Sequence, residues 1–416
     1  MPALARLLGA VEPRTARSPG QAAGFVLWPL AVLVVAQRLW WSLSEPFPPA
    51  RFRVLYDASF AFLNPDTAGV GAGAGVPPLS PGAALLTAPL AVLTPDPARW
   101  GWHVLGIAAL LGAWALLLPL LELSVRSWLA PLLLLGTFLS GPVTSTVLTD
   151  DLGAFVLLAL VAWLHLSVHR HQIAAALALG AVLALMPVFA PLLAVPVLQR
   201  RGAQALTAAA AATLAGALVW ARTGQLGVSA LDHAAPAPRS IFAAAAYLHL
   251  PPAVAAGLAA AVAAAVGTAL VLLHRRRADE RLHTLTAAGV LLLGCCLLAP
   301  AAGAPYSIVL LPLIASVVLP GSVLRTWPAW VAVYALGTDE NWSSPHLLGL
   351  GTHLEALRPT AGWLLLLATV CAALATQTRH ARTPAASSGT EKFPAPRPLT
   401  DRRQGYGVMK AMPAAE

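Results

Sequence analysis

Long apolar runs separated by short, arginine-containing connections are the feature that most restricts how this chain can fold. The mean hydropathy is +0.73, 58% of the 416 residues are hydrophobic and only 10% are charged. Such a chain has too little polar surface to cover a soluble globular domain. In a bilayer, each run of about 20 apolar residues can instead form a helix that satisfies its own backbone hydrogen bonds. We therefore predict an all-α, polytopic transmembrane helical bundle with about ten spans plus re-entrant or interfacial helices.

The basic residues of the connections and termini indicate how the chain is threaded through the bilayer. Residues 1–23 carry three arginines, and residues 378–416 carry seven basic residues in a Pro- and Ala-rich tail that has little to bury. Both termini are expected in the cytoplasm, the tail as a disordered segment, with 24–377 forming a multi-pass domain in the cell membrane. The apolar runs lie at residues 24–44, 100–121, 128–148, 151–168, 172–198, 204–221, 241–273, 284–300, 306–324, 327–337 and 359–377.

The run 172–198 is predicted to enter the membrane and return. It contains three prolines, which break or kink helices, and it ends at Arg200 and Arg201. A single crossing would place these arginines outside, against the positive-inside rule. Two short segments that enter and return keep them on the side where the run begins.

Charge and cysteine content exclude two other classes of protein. The net charge of +9 comes from residues in connections and in the tail, where membrane topology already explains them, so no nucleic acid is expected as a partner. The three cysteines lie within apolar runs, without the spacing of a metal site. We expect no metal and no organic cofactor, and membrane lipids as surroundings.

The first external loop, residues 45–99, contains two predicted surface helices. In the stretch 51–64, helical spacing places Phe52, Leu55, Ser59, Phe62 and Leu63 near one face, with charged residues elsewhere, which predicts an amphipathic helix in the outer interface. A second interfacial or re-entrant helix is expected to start at Pro81 and stop at Pro95, because its apolar stretch is too short to span. Such a loop fits an enzyme whose substrate joins a lipid tail to a polar head.

Four stretches of the chain together form a recognisable pattern: RVLYDASFAFL (53–63), VPPLSPGAALLTAPLAVLTP (76–95), AAALALGAVLALMPVFAPLLAVPVLQRR (174–201) and LLAPAAGAPYSIVLLPLIASVVL (297–319). With them the chain resembles glycosyltransferase family 87, whose members are GT-C-type enzymes. The family includes mannosyltransferases that use polyprenyl-phosphate mannose and related arabinofuranosyl enzymes. The resemblance implies transfer of a sugar, with mannose expected, from a polyprenyl phosphate to an external glycan or glycolipid.

The chain departs from the family pattern at several polar positions. Arg51 stands where the family has an aspartate at the start of the first-loop motif, and Met186 replaces a lysine. The family's G-Q-x-N is replaced by residues 150–153, and its late histidines by residues 304–306. Two alternatives therefore stay open: a non-catalytic divergent member, and a lipid-linked-sugar transporter. A transporter would predict an internal repeat and charged residues in mid-span, and neither is evident in the sequence.

Direct displacement at the anomeric carbon needs a carboxylate to deprotonate the acceptor and cationic groups to stabilise the departing phosphate. The catalytic candidates are Asp57, which lies six residues from the family position, and the pair Asp150 and Asp151 at the outer end of a span. That pair could instead cap the helix that follows it. The substrate-binding candidates are Arg51, Arg53, Tyr56, Arg222, Arg239, Tyr306 and His346.

Overall fold

A computed structural model gives the fold, and all the regular secondary structure that it describes is helical, which confirms the all-α prediction. The described residues are 19–44, 50–64, 79–149, 151–224, 240–275, 279–299, 304–338 and 348–382. Both predicted cytoplasmic segments lie almost entirely outside these residues.

The N-terminal half contains ten α-helices and two 3₁₀ segments among the described residues. The 3₁₀ segment Ala88–Val92 continues α3, and the 3₁₀ segment Pro187–Leu193 joins α8 to α9. The α-helices are α1 (Pro19–Ser44), α2 (Ala50–Leu63), α3 (Pro81–Thr87), α4 (Pro95–Leu120), α5 (Leu129–Leu139), α6 (Gly141–Thr149), α7 (Gly153–Val168), α8 (Gln172–Leu185), α9 (Ala194–Leu198) and α10 (Gly202–Thr223).

The C-terminal half continues the bundle. The 3₁₀ segments Ala304–Leu310 and Ser316–Val318 flank α14, so that the predicted run 306–324 is a broken element. The helices are α11 (Ile241–Tyr247), α12 (Pro252–His274), α13 (Glu280–Leu298), α14 (Leu311–Ala315), α15 (Trp327–Gly337) and α16 (Leu348–Arg382).

Fewer helices are long enough to span than the sequence predicted. Among the described residues, six helices are long and apolar enough to cross a membrane, or seven if α5 and α6, which meet at a bend of 58°, form one broken span. The prediction of about ten spans was too high because several apolar runs fold as short or interrupted helices, including α7, α8 and the segment around α14. The run 241–273 likewise divides into two helices, at the residues that precede Pro252.

Ion pairs link four segments of the chain at one end of the bundle. We call this end the basic end. Glu280 accepts hydrogen bonds from Arg170 and Arg201, and Arg281 pairs with Glu122. These residues belong to the connections after α4, α7 and α9 and to the start of α13. The sequence placed the same connections together, on the cytoplasmic side.

The run 172–198 folds back on itself, as its prolines and arginines predicted. Helix α8 ends at Leu185, where Met186 has φ −138° and ψ 85° and Pro187 begins the 3₁₀ segment. Since Arg170 before this run and Arg201 after it both contact Glu280, the two ends of the run lie at the basic end. The turn near Leu185 therefore points into the bundle, toward its opposite end.

The opposite end of the bundle carries the first-loop helices. Helix α4 ends beside Glu122 at the basic end, so its first residue, Pro95, lies about 39 Å away along the helix axis. Pro95 opens α4 and does not stop the preceding helix, which ends at Val92, so that detail of the prediction was wrong. The missing N–H of proline is harmless in a first turn, whereas it would interrupt a helix interior.

Candidate active site

Helix α2 is amphipathic, as predicted, but its apolar face packs on protein. Phe52 is 1% exposed and Leu55 is fully buried. Ser59 on the same face lies 2.5 Å from the hydroxyl of Thr87, which itself donates to the Ala83 carbonyl at 2.7 Å. The buried face of α2 is thus held against α3 by packing and by a chain of hydroxyl hydrogen bonds.

Tyr56 connects α2 to the residues that precede α4. Its hydroxyl donates to the carbonyl oxygen of Leu93 at 2.7 Å. This bond, made between residues 37 positions apart, fixes the distance between α2 and the start of α4. Tyr56 was predicted to bind substrate, and in this structure its hydroxyl instead makes a hydrogen bond within the protein.

Helix α3 begins against the turn of the folded-back run. Ser80 donates from Oγ to the Leu185 carbonyl at 2.7 Å. A Cβ added at Gly82 would lie 2.6 Å from both the Ala184 carbonyl carbon and the Leu185 nitrogen, so only glycine allows this approach. The same turn carries Met186, so this residue lies close to the start of α3 in the first loop.

Asp57 and Arg53 lie on the exposed face of α2. They are one helical turn apart, so both side chains emerge on the same side of the helix. Among the described residues, the Asp57 carboxylate has no ion-pair or hydrogen-bond partner. The exposed Asp57 carboxylate is therefore accessible to a substrate hydroxyl.

Arg222 has a structural role in this arrangement. It lies in the last turn of α10 and donates from Nη2 to the carbonyl oxygen of Leu63 at 3.0 Å. A cation at the C-terminus of α2 satisfies a free carbonyl and interacts favourably with the helix dipole. The bond also brings the end of α10 to the first-loop helices.

Asp151 is placed very differently from Asp57. It is 6% exposed, and its Oδ1 accepts the Gly153 N–H at 2.7 Å, which satisfies a free donor at the start of α7. It lines a cavity of about 20 Å³ together with Trp102, His103 and Thr146. That volume suits one water molecule and is too small for a sugar.

The remaining five predicted site residues lie, entirely or by their side chains, outside the described residues. Asp150, Arg239 and His346 lie outside the described residues. Arg51 is in α2 and Tyr306 in the first 3₁₀ segment of the C-terminal half, but their side chains are also outside what the structure describes. Their roles stay predictions.

Two arginines that the sequence analysis did not single out lie near the end of the bundle that carries the first-loop helices. Arg38, the one charged residue of α1, donates from Nε to the Phe138 carbonyl at 3.3 Å. Arg99, in the first turns of α4, donates from Nη2 to the Ser42 carbonyl at 3.3 Å. Arg38 lies within the last two turns of the apolar α1, where a charged side chain is costly, and this was the signal by which it could have been found.

The described part of the chain contains no cluster of side chains that could bind a metal ion. No group of three or more His, Cys, Asp or Glu residues there is arranged to hold a metal ion.

Comparison with known proteins gives one family. The sequence model of glycosyltransferase family 87 matches residues 80–300, more than half of the chain. An α-(1→3)-arabinofuranosyltransferase of Mycolicibacterium smegmatis is 30% identical over 392 residues, covering 88% of this chain and 89% of that protein. One from Mycobacterium tuberculosis is 32% identical, covering 87% and 88%. One from Corynebacterium glutamicum is 28% identical, covering 88% and 91%.

No solved structure matches this chain at a significant level. The curated relatives are arabinofuranosyltransferases, and none of those that match is described as a mannosyltransferase, so the expectation of mannose has no support from them.

Proposed function

The chain belongs to glycosyltransferase family 87 and is a membrane glycosyltransferase, and on that premise we propose that it transfers an arabinofuranosyl residue from a polyprenyl phosphate to an external glycan or glycolipid. The observation that carries the choice of sugar is the 30–32% identity to α-(1→3)-arabinofuranosyltransferases over nearly the whole length of both chains. Mannose, which the resemblance alone suggested, is the second candidate.

Asp57 is the proposed general base. A base must come within hydrogen-bond reach of the acceptor hydroxyl, and the exposed carboxylate of Asp57 allows a glycan to approach. Asp151 is a poorer candidate because Gly153 occupies its Oδ1 and the adjoining cavity holds only a water molecule. The buried carboxylate fits the capping role that the sequence analysis kept as an alternative.

The reaction is a displacement at the anomeric carbon. The acceptor hydroxyl gives its proton to Asp57 while its oxygen forms the new glycosidic bond, and the bond from the anomeric carbon to the phosphate oxygen breaks. The lipid phosphate leaves with that electron pair. Arg53, one turn from Asp57 on the same exposed face, is placed to stabilise the developing negative charge.

The first-loop helices supply the rigid support that such a reaction needs. Tyr56, Ser59 and Ser80 tie α2 and α3 to α4 and to the turn of the folded-back run. A base held in place by packed helices keeps its orientation toward the acceptor, which is a large part of the catalytic advantage of an enzyme.

Radiolabelled donors test the proposed function. Purified protein is given polyprenyl-phosphate arabinofuranose or polyprenyl-phosphate mannose, each with a membrane glycolipid extract as acceptor. The proposal expects transfer from the arabinofuranose donor at a rate at least tenfold above that from the mannose donor. Preferential transfer of mannose would restore the second candidate, and binding of both donors without transfer would favour a non-catalytic member of the family.

A further inference from the structure

Phe60 lies on the same face of α2 as the proposed base, Asp57. Arg53, Asp57 and Phe60 are all exposed, Phe60 to 45%. With about 3.6 residues per turn, positions 53, 57 and 60 fall within about 60° around the helix axis. Leu55 and Ser59 are buried on the other side of the helix. The exposed face of α2 therefore presents a cation, an acid and an aromatic ring in one row.

The neighbours of Phe60 on this face indicate what kind of molecule could cover its ring. A single exposed apolar side chain is common on proteins and by itself implies no ligand. Phe60, however, shares its face with Asp57 and Arg53, and charged side chains are costly among lipid tails. A partner that suits both the charges and the ring must be polar at its edge and apolar on one face.

A sugar ring has both of these properties. Hydroxyl groups lie around its edge, and they donate hydrogen bonds to carboxylates. C–H groups lie on its faces, and an aromatic face attracts them because it carries partial negative charge. Along the helix axis, Asp57 is about 4.5 Å from Phe60, so a sugar stacked on Phe60 can direct a hydroxyl to the carboxylate.

The order of the three side chains gives the two substrates separate places. Asp57 lies between Phe60 and Arg53, which is about 6 Å further along the axis. The donor phosphate is favoured on the Arg53 side, which is also the N-terminal and partly positive end of α2. The acceptor then approaches from the C-terminal side of the helix, over Phe60.

The backbone that carries Phe60 is held in place by side chains. The Phe60 carbonyl accepts the backbone N–H of Asn64 at 2.9 Å and its Nδ2 at 3.1 Å. Arg222, from α10, donates to the next free carbonyl, that of Leu63, at 3.0 Å. A ring on a helix end that is closed in this way needs little ordering when a ligand binds, which favours affinity.

We propose that Phe60 binds the acceptor sugar by stacking, and that α2 orders the reaction with the donor phosphate at Arg53 and the acceptor at Phe60. The inference rests on the proposed function, because that function supplies the base at Asp57. It adds the residue that holds the acceptor and the side from which the acceptor approaches. Insertion of Phe60 into the bilayer as an anchor is the alternative that the experiments must separate from stacking.

Photo-crosslinking identifies the occupant without requiring sugar transfer. The photoreactive p-benzoylphenylalanine is placed at position 60 or, as a control, at position 242, where Phe242 is 41% exposed at the start of α11. Purified protein is irradiated with a membrane glycolipid extract whose glycans carry tritium, and in a separate sample with radiolabelled phosphatidylglycerol. We expect glycan capture at position 60 about fivefold above that at position 242. Equal glycan capture at both positions, or preferential capture of phosphatidylglycerol at position 60, would overturn the proposal.

Phe60→Leu separates stacking from anchoring, because leucine stays apolar but has no ring. The KM for the glycolipid acceptor should rise about fivefold. The donor KM and kcat should stay within about twofold of the wild type, since a lost acceptor contact affects only acceptor binding. Phe60→Trp keeps an aromatic face and should retain the wild-type acceptor KM, as should the control Phe242→Leu. An unchanged acceptor KM in Phe60→Leu, or a parallel rise in the donor KM, would overturn the role of Phe60.

Arg53→Gln tests the order of the substrates along α2. Loss of the charge should lower kcat about tenfold or more, because the developing phosphate charge loses its partner. The acceptor KM should not change. A rise in the acceptor KM as large as that in Phe60→Leu would overturn the proposed order.

The crosslinking and transfer assays together separate this inference from the function on which it rests. Preferential glycan capture at position 60 in a protein that transfers no sugar would reject the proposed function and leave Phe60 as a glycan-binding residue. Sugar transfer without preferential capture at position 60 would reject the role of Phe60 alone.

Discussion

The hydroxyl of Tyr56 and the carbonyl oxygen of Leu93 are 2.7 Å apart, and their hydrogen bond joins the first-loop helix α2 to the start of α4. Through it, the helix that presents Asp57 is held by a span that runs the length of the bundle. The position of the proposed base is in this way set by contacts made on the other face of its own helix.

Tyr56→Phe removes that hydrogen bond with little change in shape. The expected cost is about 1 kcal/mol of stability, because the Leu93 carbonyl loses its donor. Thermal unfolding in detergent should show a lower midpoint for Tyr56→Phe. Tyr334→Phe is the control, since the Tyr334 side chain is about half exposed, and an unchanged midpoint is expected there. Equal midpoints for both variants would mean that the Tyr56 bond contributes nothing.

Gly82→Ala tests the close approach of α3 to the folded-back run. The added methyl would meet the backbone at Ala184 and Leu185, which cannot move without shifting the turn, so we expect a loss of about 1–3 kcal/mol. Gly101→Ala places the same methyl in open space on α4 and should be neutral or slightly stabilising. Folded yield and the unfolding midpoint are the measurements. A tolerated Gly82→Ala would contradict the contact between α3 and the turn.

Single cysteines test which connections share an end of the bundle. Arg126→Cys and Arg170→Cys lie at exposed positions of the basic end, and Phe60→Cys and Asp96→Cys at exposed positions of the opposite end. A membrane-impermeant maleimide added to whole cells should label residues 60 and 96 and leave 126 and 170 unlabelled. The reverse result would invert the orientation, and different outcomes for 126 and 170 would contradict the fold itself.

The amphipathic helix and the folded-back run could be predicted because short local patterns in the sequence determine them. The spacing of Phe52, Leu55 and Ser59 gave the buried face of α2, and the prolines with Arg200 and Arg201 gave the return of the run 172–198. In both cases a local rule about periodicity or charge is also the rule that the tertiary structure obeys.

Contacts between distant parts of the chain could not be predicted. Arg38 reaches the Phe138 carbonyl, 100 positions away, at the break between α5 and α6, and no local pattern links the two residues. In the sequence, Asp151 stands at the outer end of an apolar run and Asp57 within a predicted amphipathic helix, and neither position shows whether the acid is buried. Only packing makes one buried and the other exposed, so their different chemistry is a tertiary property.

The measurement that tests the account most directly is the transfer rate of Asp57→Asn beside that of Asp151→Asn, each divided by the amount of folded protein. Asparagine keeps the size of the side chain but cannot accept the acceptor's proton, so Asp57→Asn should lose at least ~10²-fold in rate with an unchanged folded yield. Asp151→Asn keeps a side-chain oxygen that can accept the Gly153 N–H, so its folded yield should change little and its rate per folded molecule less than tenfold. Full activity in Asp57→Asn together with loss of turnover in Asp151→Asn would contradict the assignment and move the base to the start of α7.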